Sequence, residues 1–369
     1  MVFRNLFFLW FFLSFDRCPL LAQAVADFRQ TAHEQASLAL KLMDTERKYD
    51  EAIALLEQAR KTDPKNPAYR YEIAYAFFKQ KKYEKTIEQL RKTLRSPQAD
   101  AQYYRLLGNA YEQIKKDKKA EKIYKRGLKK FPNAGQLYAD IGGLSYRIGK
   151  NDAAITHWEN GIAHDPAFAS NYYWAARMYC HSSEKLWGML YAELFLNLEP
   201  NGERHQEMSA LLFEVYNKGM IFPTDSSAAS IGYSQRARTY LLLDETERDS
   251  ILPFQVLFDL AAQWAMPPAM RANDLPTLLA LRTDFTNRWF AEKYDLHYPN
   301  VVFQRQKQIA DAGHAEAYHY WLLRGGNKKQ FEQWLLYNKI KFDKFIKWFN
   351  QTPLKLAKEA RFYRLQYAK

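Results

Sequence analysis

The sequence predicts an all-α protein in which stacked helix pairs are followed by a further helical region. Three observations lead there. Ala101 to Pro132 reads as two amphipathic helices joined by a tight basic turn. The pattern recurs at constant spacing on both sides of that stretch. Beyond the recurrences, no segment alternates apolar and polar residues as a half-buried strand would.

In the central pair, Tyr104, Leu107, Gly108 and Tyr111 share one face of the first helix at three-to-four spacing. Ala120, Tyr124 and Gly127 do the same in the second, and Pro132 stops it. Gly108 and Ala120 are small enough to let the two backbones approach closely. At one constant step along the chain, the helix-ending position holds Pro64, Gln98, Pro132, Pro166 and Pro200. The small position of the second helix holds Ala52, Thr86, Ala120, Ala154 and Gly188, and that of the first holds Leu40, Ala74, Gly108, Gly142 and Ala176. The aromatic position, with Tyr104, Tyr138 and Tyr172, is Ala36 and Arg70 in the first two units. Five units follow without insertion: 33–66, 67–100, 101–134, 135–168 and 169–202.

These columns resemble the tetratricopeptide repeat, a helix pair of about 34 residues. The resemblance covers a little under half of the chain. It implies a right-handed α-solenoid whose first helices line a concave face, closed by a helical C-terminal domain over 203–369. It also implies a scaffold that binds a protein or peptide partner, and it specifies architecture rather than chemistry.

In chain order, Met1 to Ala24 has the build of a secretory signal. Arg4 supplies charge, Leu6 to Phe15 form a run apolar except for Ser14, and Ala22-Gln23-Ala24 offers a cleavage site. The run is shorter than the roughly 20 residues that span a bilayer. Asp16 and Arg17 interrupt the segment, which leaves an uncleaved anchor as the second reading, and they are wrong for a lipoprotein signal at Cys18. The expectation is export to the periplasm or to the outer membrane, with no transmembrane helix left after cleavage. Cys180 is then alone, so no intramolecular disulfide is expected, and a lone cysteine on a repeat helix reads as packing. Val25 to Met43 is a helix capping the stack, and Thr45 to Tyr49 its turn.

Counting outward from the packing columns puts Tyr71, Tyr75 and Phe78 on the concave face in the second unit. Arg105, Asn109 and Glu112 follow in the third, Tyr146 and Arg147 in the fourth, Tyr173 and Arg177 in the fifth. Rings bury apolar side chains, arginine pairs a carboxylate bidentately and asparagine bonds main chain, which together suit an extended peptide. Arg105 and Asn109 resemble part of the carboxylate clamp of some tetratricopeptide co-chaperones, and the other clamp positions do not match. The competing reading is that Tyr71, Tyr75 and Tyr173 pack on neighbouring helices or on the C-terminal region, or that this region fills the groove.

The formal charge is +13. Lys115, Lys116, Lys118, Lys119, Lys122, Lys125, Arg126, Lys129 and Lys130 concentrate part of it in the third unit. A charge run on a helix is first a solvated face, and its alternative use is contact with an anionic envelope polymer. Predicted export and the lack of any nucleic-acid motif argue against nucleic acid.

After Pro200 the period fails. Helices are expected over Gln206–Lys218, Tyr233–Leu243, Leu252–Ala265, Thr277–Tyr294, Val301–Ala312, His314–Arg324, Gln330–Tyr337 and Phe342–Asn350, then a last basic helix after Pro353. Pro223 to Ser230 reads as a loop and His297 to Asn300 as a turn. Asp311-Ala312-Gly313-His314, Ala317-Tyr318 and Tyr320-Trp321 resemble the helical region that follows repeats in exported proteins of the Bacteroidota, which carries no assigned activity. His297, His314, Glu316 and His319 are the one candidate for hydrolytic chemistry. His314 and His319 are five apart, off a common helix face, so a capping His314 and a packed His319 are the competing roles. Nothing calls for a catalytic residue, a metal or a cofactor, and Trp321, Trp334 and Trp348 read as core.

Overall fold

The computed structural model describes residues 19–94, 96–221, 230–244, 251–266, 274–357 and 362–367. The fold is all-α. The first ten helices are α1 (Pro19–Lys41), α2 (Tyr49–Thr62), α3 (Ala68–Lys79), α4 (Tyr83–Thr93), α5 (Ala101–Gln113), α6 (Asp117–Lys130), α7 (Gly135–Arg147), α8 (Asn151–His164), α9 (Ala169–Cys180) and α10 (Lys185–Leu198). The second helices of the pairs begin at Tyr49, Tyr83, Asp117, Asn151 and Lys185, each one full repeat after the last. The chain divides into two compact units, Met1–Ile123 and Tyr124–Lys369, with the division inside α6.

The first unit holds α1 to α5 and the start of α6. Its core is Ala32, Ala36, Ala39, Met43, Ala52, Leu56, Ala59, Tyr69, Ile73 and Ala76. So many alanines bring α1, α2 and α3 close. In the next pair the small column is Thr86, whose buried hydroxyl donates to Ala74 O at 3.1 Å. The turn expected over Thr45–Tyr49 begins earlier, as a π-helical Leu42–Glu46. The leader to Cys18 lies outside the described residues, and α1 already runs through Ala22 to Ala24.

Four of the five turns between paired helices use one left-handed residue. These are Arg47, Lys81, Lys115 and Gly149, with φ of 55°, 61°, 58° and 77°. They too recur once per repeat. In the second pair Lys82 N donates to Phe77 O and Lys81 N to Phe78 O, both at 2.9 Å. This crossed arrangement satisfies the last carbonyls of the helix and requires αL geometry at the central residue. Only the fourth turn supplies glycine, so three carry a side-chain clash there.

The second unit is built around α10, which is buried at every position from Leu186 to Asn197. An ordinary repeat leaves the outer side of its second helix to solvent. A helix apolar all round is covered all round. On one side α9 approaches so closely that a Cβ on Gly188 would lie 2.6 Å from Cys180 N. Cys180 is buried there with its thiol pushed up to about 12 by burial, then by the Glu214 charge. The other cover is the C-terminal region: α11 (Glu203–Gly219), β1 (Met220–Ile221), β2 (Ser230–Ile231), α12 (Gln235–Leu241), α13 (Phe254–Trp264), α14 (Leu275–Ala291), α15 (Tyr294–His297), α16 (Val301–Asp311), α17 (Ala315–Leu323) and α18 (Lys328–Gln351). Rings of Phe258, Phe285, Trp289 and Phe303 make its core, with Trp289 and Phe303 4.8 Å apart.

Several expectations are corrected here. A two-residue antiparallel ladder joins β1 to β2 in a region read as wholly helical. Most of the loop read over Pro223 to Ser230 lies outside the described residues. The turn at His297 is the end of a four-residue helix. The two helices expected within 330–350 are found: they meet within α18 at Asn338, whose backbone is not helical (φ −123°, ψ 18°) and whose Nδ2 donates to Trp334 O at 2.9 Å. That side chain competes for the carbonyl of its own helix. No α-helix follows Pro353 among the described residues, where the chain ends in a 3₁₀ turn at Arg364–Tyr367. The period also outlasts its prolines: α11 starts at Glu203, one full repeat after the start of α9 at Ala169.

Two buried carboxylates tie the C-terminal region to the repeats. Glu193 of α10 accepts from Arg282 at 2.9 and 3.0 Å, from Gln306 at 2.9 Å and from Tyr318 at 2.8 Å. Glu159 of α8 accepts from Arg364 at 2.9 and 3.0 Å, and from Tyr179 and Tyr191, both at 3.0 Å. Burial is the largest single influence and would lower Arg282, but the charge and hydrogen bond of Glu193 together with Tyr216 and Tyr318 outweigh it, holding the guanidinium above the ordinary arginine range.

Replacing Arg282 alone by Met strands the Glu193 charge and costs about 3–5 kcal/mol, whereas Glu193→Gln with Arg282→Met costs less. Urea unfolding checks this, and equal losses in the two variants would remove the coupling. Lys81→Gly relieves the left-handed lysine and raises stability by about 0.5–1 kcal/mol net of added chain entropy, while Gly149→Ala lowers it. Thermal unfolding of the two variants should move in opposite directions.

Candidate partner-binding surface

In the first unit, Tyr71, Tyr75 and Phe78 lie on α3 at the spacing of one helix face, and all three are half-buried. Tyr71 meets Tyr103 of α5, centroids 4.8 Å apart at 47°. Phe78 sits edge-on to Tyr83 at 5.4 Å. The Lys79 ammonium lies 5.3 Å over the ring of Tyr75. On α5, Arg105 is exposed and Asn109 half-buried. The Tyr71 hydroxyl is pushed up to about 12 by burial and by the Glu72 charge, with Arg105 pulling the other way, and burial pushes Tyr103 to about 12 as well. The result is a strip of aromatic surface with a guanidinium and an amide along it.

Glu72 was not foreseen as part of this strip. It is half-buried, and burial followed by the Asp44 charge raises its carboxyl from 4.5 to about 7. An acid there is uncharged through much of the weakly acidic range and ionises near neutrality. The sequence carries no visible sign of this, because Glu72 occupies a position that reads as solvent-facing.

In the second unit, Tyr146 is 51% exposed at the end of α7, with its ring 6.3 Å from Trp158. Arg147 beside it is exposed. Tyr173 and Arg177 are placed differently from the expectation of an open wall. Tyr173 is 4% exposed, and its hydroxyl donates to Glu207 of α11 at 2.6 Å. Arg177 donates to the Tyr173 hydroxyl at 2.9 Å and pairs with Glu207. Arg204 covers the same ring, 4.9 Å from its centroid. Tyr173 is therefore a strut between α9 and α11. The missed signal was periodic, since Glu207 stands one repeat after Tyr173, in a helix whose membership of the series its lost proline conceals. Of the nine residues, Tyr71, Tyr75, Phe78, Arg105 and Asn109 belong to the first unit and Tyr146, Arg147, Tyr173 and Arg177 to the second.

The basic residues from Lys115 to Lys130 are all exposed. The four residues considered for chemistry are separately engaged. His319 is buried, its Nε2 2.7 Å from Leu275 O, and burial lowers its pKa to about 3. Glu316 accepts from Trp334 Nε1 and Lys341 Nζ, both at 2.6 Å. His314 stands at the start of α17 without a capping bond, its ring 5.3 Å from Trp348. Among the described residues no hydrogen bond joins any two of these with each other or with His297, and no helix is long and apolar enough to cross a membrane.

The raised Glu72 carboxyl makes a signed prediction. The native state holds this proton more tightly than the unfolded chain does. Its contribution is therefore favourable at low pH and is lost as pH rises from about 4.5 through about 7. Glu72→Gln removes the loss, so the variant should melt higher than wild type at pH 8 and close to it at pH 4.5. Equal differences at both pH values would show that Glu72 ionises normally.

A tetratricopeptide repeat family model matches residues 45–110, the stretch that holds α2 to α4 and most of α5. No curated protein sequence matches the chain. Among solved structures, pilF of Pseudomonas aeruginosa is similar over 53% of this chain and 86% of its own, at 17% identity and a TM-score of 0.44. YrrB, described as a TPR protein with an unusual peptide-binding site, covers 53% of this chain and 97% of its own, at 16% identity and a TM-score of 0.36. MamA covers 43% and 92%, at 22% identity and a TM-score of 0.37.

Proposed function

We propose that this all-α protein with tetratricopeptide repeats is a non-enzymatic scaffold that holds a peptide segment or partner protein in the bacterial cell envelope. The observation that carries this reading is the strip on α3 and α5: half-buried Tyr71, Tyr75 and Phe78 beside exposed Arg105. These side chains sit on packed helices within the matched repeat segment. Rings held by packing lose little freedom on binding, so a flexible partner bears most of the ordering cost. Apolar partner side chains settle on the rings, and Arg105 takes a partner carboxylate. Tyr146 and Arg147 offer a second, smaller patch. Tyr173 contributes by holding α11 and not by contact. Export rests on the leader Met1 to Ala24, and with it the location in the periplasm or at the outer membrane.

The test uses the full chain with a photo-crosslinking residue at Tyr75 or at Arg105. Expressed in a bacterial envelope, each should capture the same partner, and a probe at Lys122 should not. Adding Arg105→Glu to the Tyr75 probe should weaken capture about tenfold or more. Capture from Lys122 alone would shift the site to α6 and its exposed lysines. In that second reading the ligand is an anionic polymer, and binding collapses between low and high salt. The N-terminus of the envelope form should be Val25, and an intact Met1 would replace cleavage by anchoring.

A further inference from the structure

Helix α18 buries one face and leaves another bare. Trp334 stacks on Tyr320 at 4.5 Å and 9°, and Phe345 and Phe349 pack on Trp321 at 5.9 and 4.9 Å. Between these anchors the helix breaks at Asn338. The break turns Leu336, Tyr337 and Ile340 outward, where they are 78%, 89% and 74% exposed. Apart from Leu242, these are the most exposed large hydrophobic side chains among the described residues of the unit, and they stand together. Around them an open hollow of about 610 Å³ is lined also by Gly313, His314, Lys339, Lys341 and Lys344.

The charge around this knuckle is one-sided. Lys339, Lys341, Lys344 and Lys347 stand against a single acid, Asp343, within the same stretch of helix. Asp343 pairs with Lys339 at 2.9 Å, and Lys341 reaches Glu316 of α17. Lys344 and Lys347 are exposed and have no acidic partner among the described residues. An aromatic and two branched aliphatic side chains, projected from a bend and collared by lysines, match one kind of surface. Rings and aliphatics enter the boundary between headgroups and acyl chains, while ammonium groups stay in the headgroup layer.

We propose that the knuckle Leu336–Lys347 docks this protein on an anionic lipid bilayer. Leu336, Tyr337 and Ile340 insert to interfacial depth, and Lys344 and Lys347 meet lipid phosphates. Neither half suffices: three side chains bury too little area for lasting attachment, and two lysines alone release at physiological salt. Paired with the repeats, the contact places a captured partner at a membrane surface. It stands independently of which partner that is.

The test uses the full chain with Tyr337→Cys and Cys18→Ser, labelled with a polarity-sensitive fluorophore at residue 337. Cys180 is 3% exposed and escapes labelling. The label reports the knuckle alone, whatever the leader does. With vesicles of phosphatidylglycerol and phosphatidylcholine, emission should shift to the blue and be quenched by nitroxide lipids. Vesicles of phosphatidylcholine alone should leave it unchanged. Lys344→Gln and Lys347→Gln should weaken the response about fivefold each, and Leu336→Ser with Ile340→Ser at least tenfold. All four positions are exposed, and an unchanged circular dichroism spectrum confirms the fold. An emission unchanged by anionic vesicles overturns the proposal. An emission that shifts only with envelope protein, and not with lipid, overturns it in favour of a protein-docking knuckle.

Discussion

A carboxylate kept ionised out of water needs a counter-charge and donors for its oxygens, and two such carboxylates organise the second unit. Glu159 and Glu193 stand one repeat apart, at the same position of successive second helices. One receives Arg364 and the other Arg282, with tyrosine hydroxyls closing the remaining acceptor sites. The same column holds exposed Arg91 and Lys125 earlier in the chain. A position that faces water in the second and third repeats thus becomes, in the fourth and fifth, an anchor for the C-terminal region. Such pairs are weak sources of net stability but severe when broken. They join the C-terminal region to α10 through Arg282 and to α8 through Arg364.

That choice bears on binding. The C-terminal region spends itself on the second helices, through Glu159, Glu193 and the fully covered α10, and on α11. Tyr173 and Arg177 are taken up by Glu207 because α11 continues the series by one more helix. Of the four concave-face positions expected in the second unit, Tyr146 and Arg147 stay exposed beside the half-buried Arg177. In the first unit α3 and α5 keep their aromatic strip. The half-buried acid in that strip, Glu72, and the second raised carboxyl, Asp259, share their largest cause: burial is the main influence lifting each to about 7. Asp259 meets the cost with backbone donors from Tyr233 and Ser234.

The repeat helices were legible because they obey local rules at a fixed period. Small residues mark close approach, prolines mark ends, and three-to-four spacing marks the buried face. Two features escaped those rules. The turns place lysine or arginine where glycine is the natural choice, so their αL geometry shows only in the backbone. At residue 338 the sequence indicates a break in a helix, and only the packing of Trp334 and Phe345 to one side shows that Leu336, Tyr337 and Ile340 face out.

By itself the sequence determined the fold class, the rhythm of the repeat, the identity of the packing columns and the basic run of α6. Each of these depends on neighbours in the chain or on a spacing, and spacing is readable without coordinates. Tertiary structure alone decided which polar residues meet. Glu193 and Arg282 are 89 residues apart, Glu159 and Arg364 are 205 apart. Nothing in one member of such a pair announces the other, because a buried charge is matched by whatever the folded chain brings within hydrogen-bond reach. For the same reason Tyr71 and Tyr173, at the same position of their repeats, part company: the one stays half-buried on the strip of the first unit while the other closes under α11.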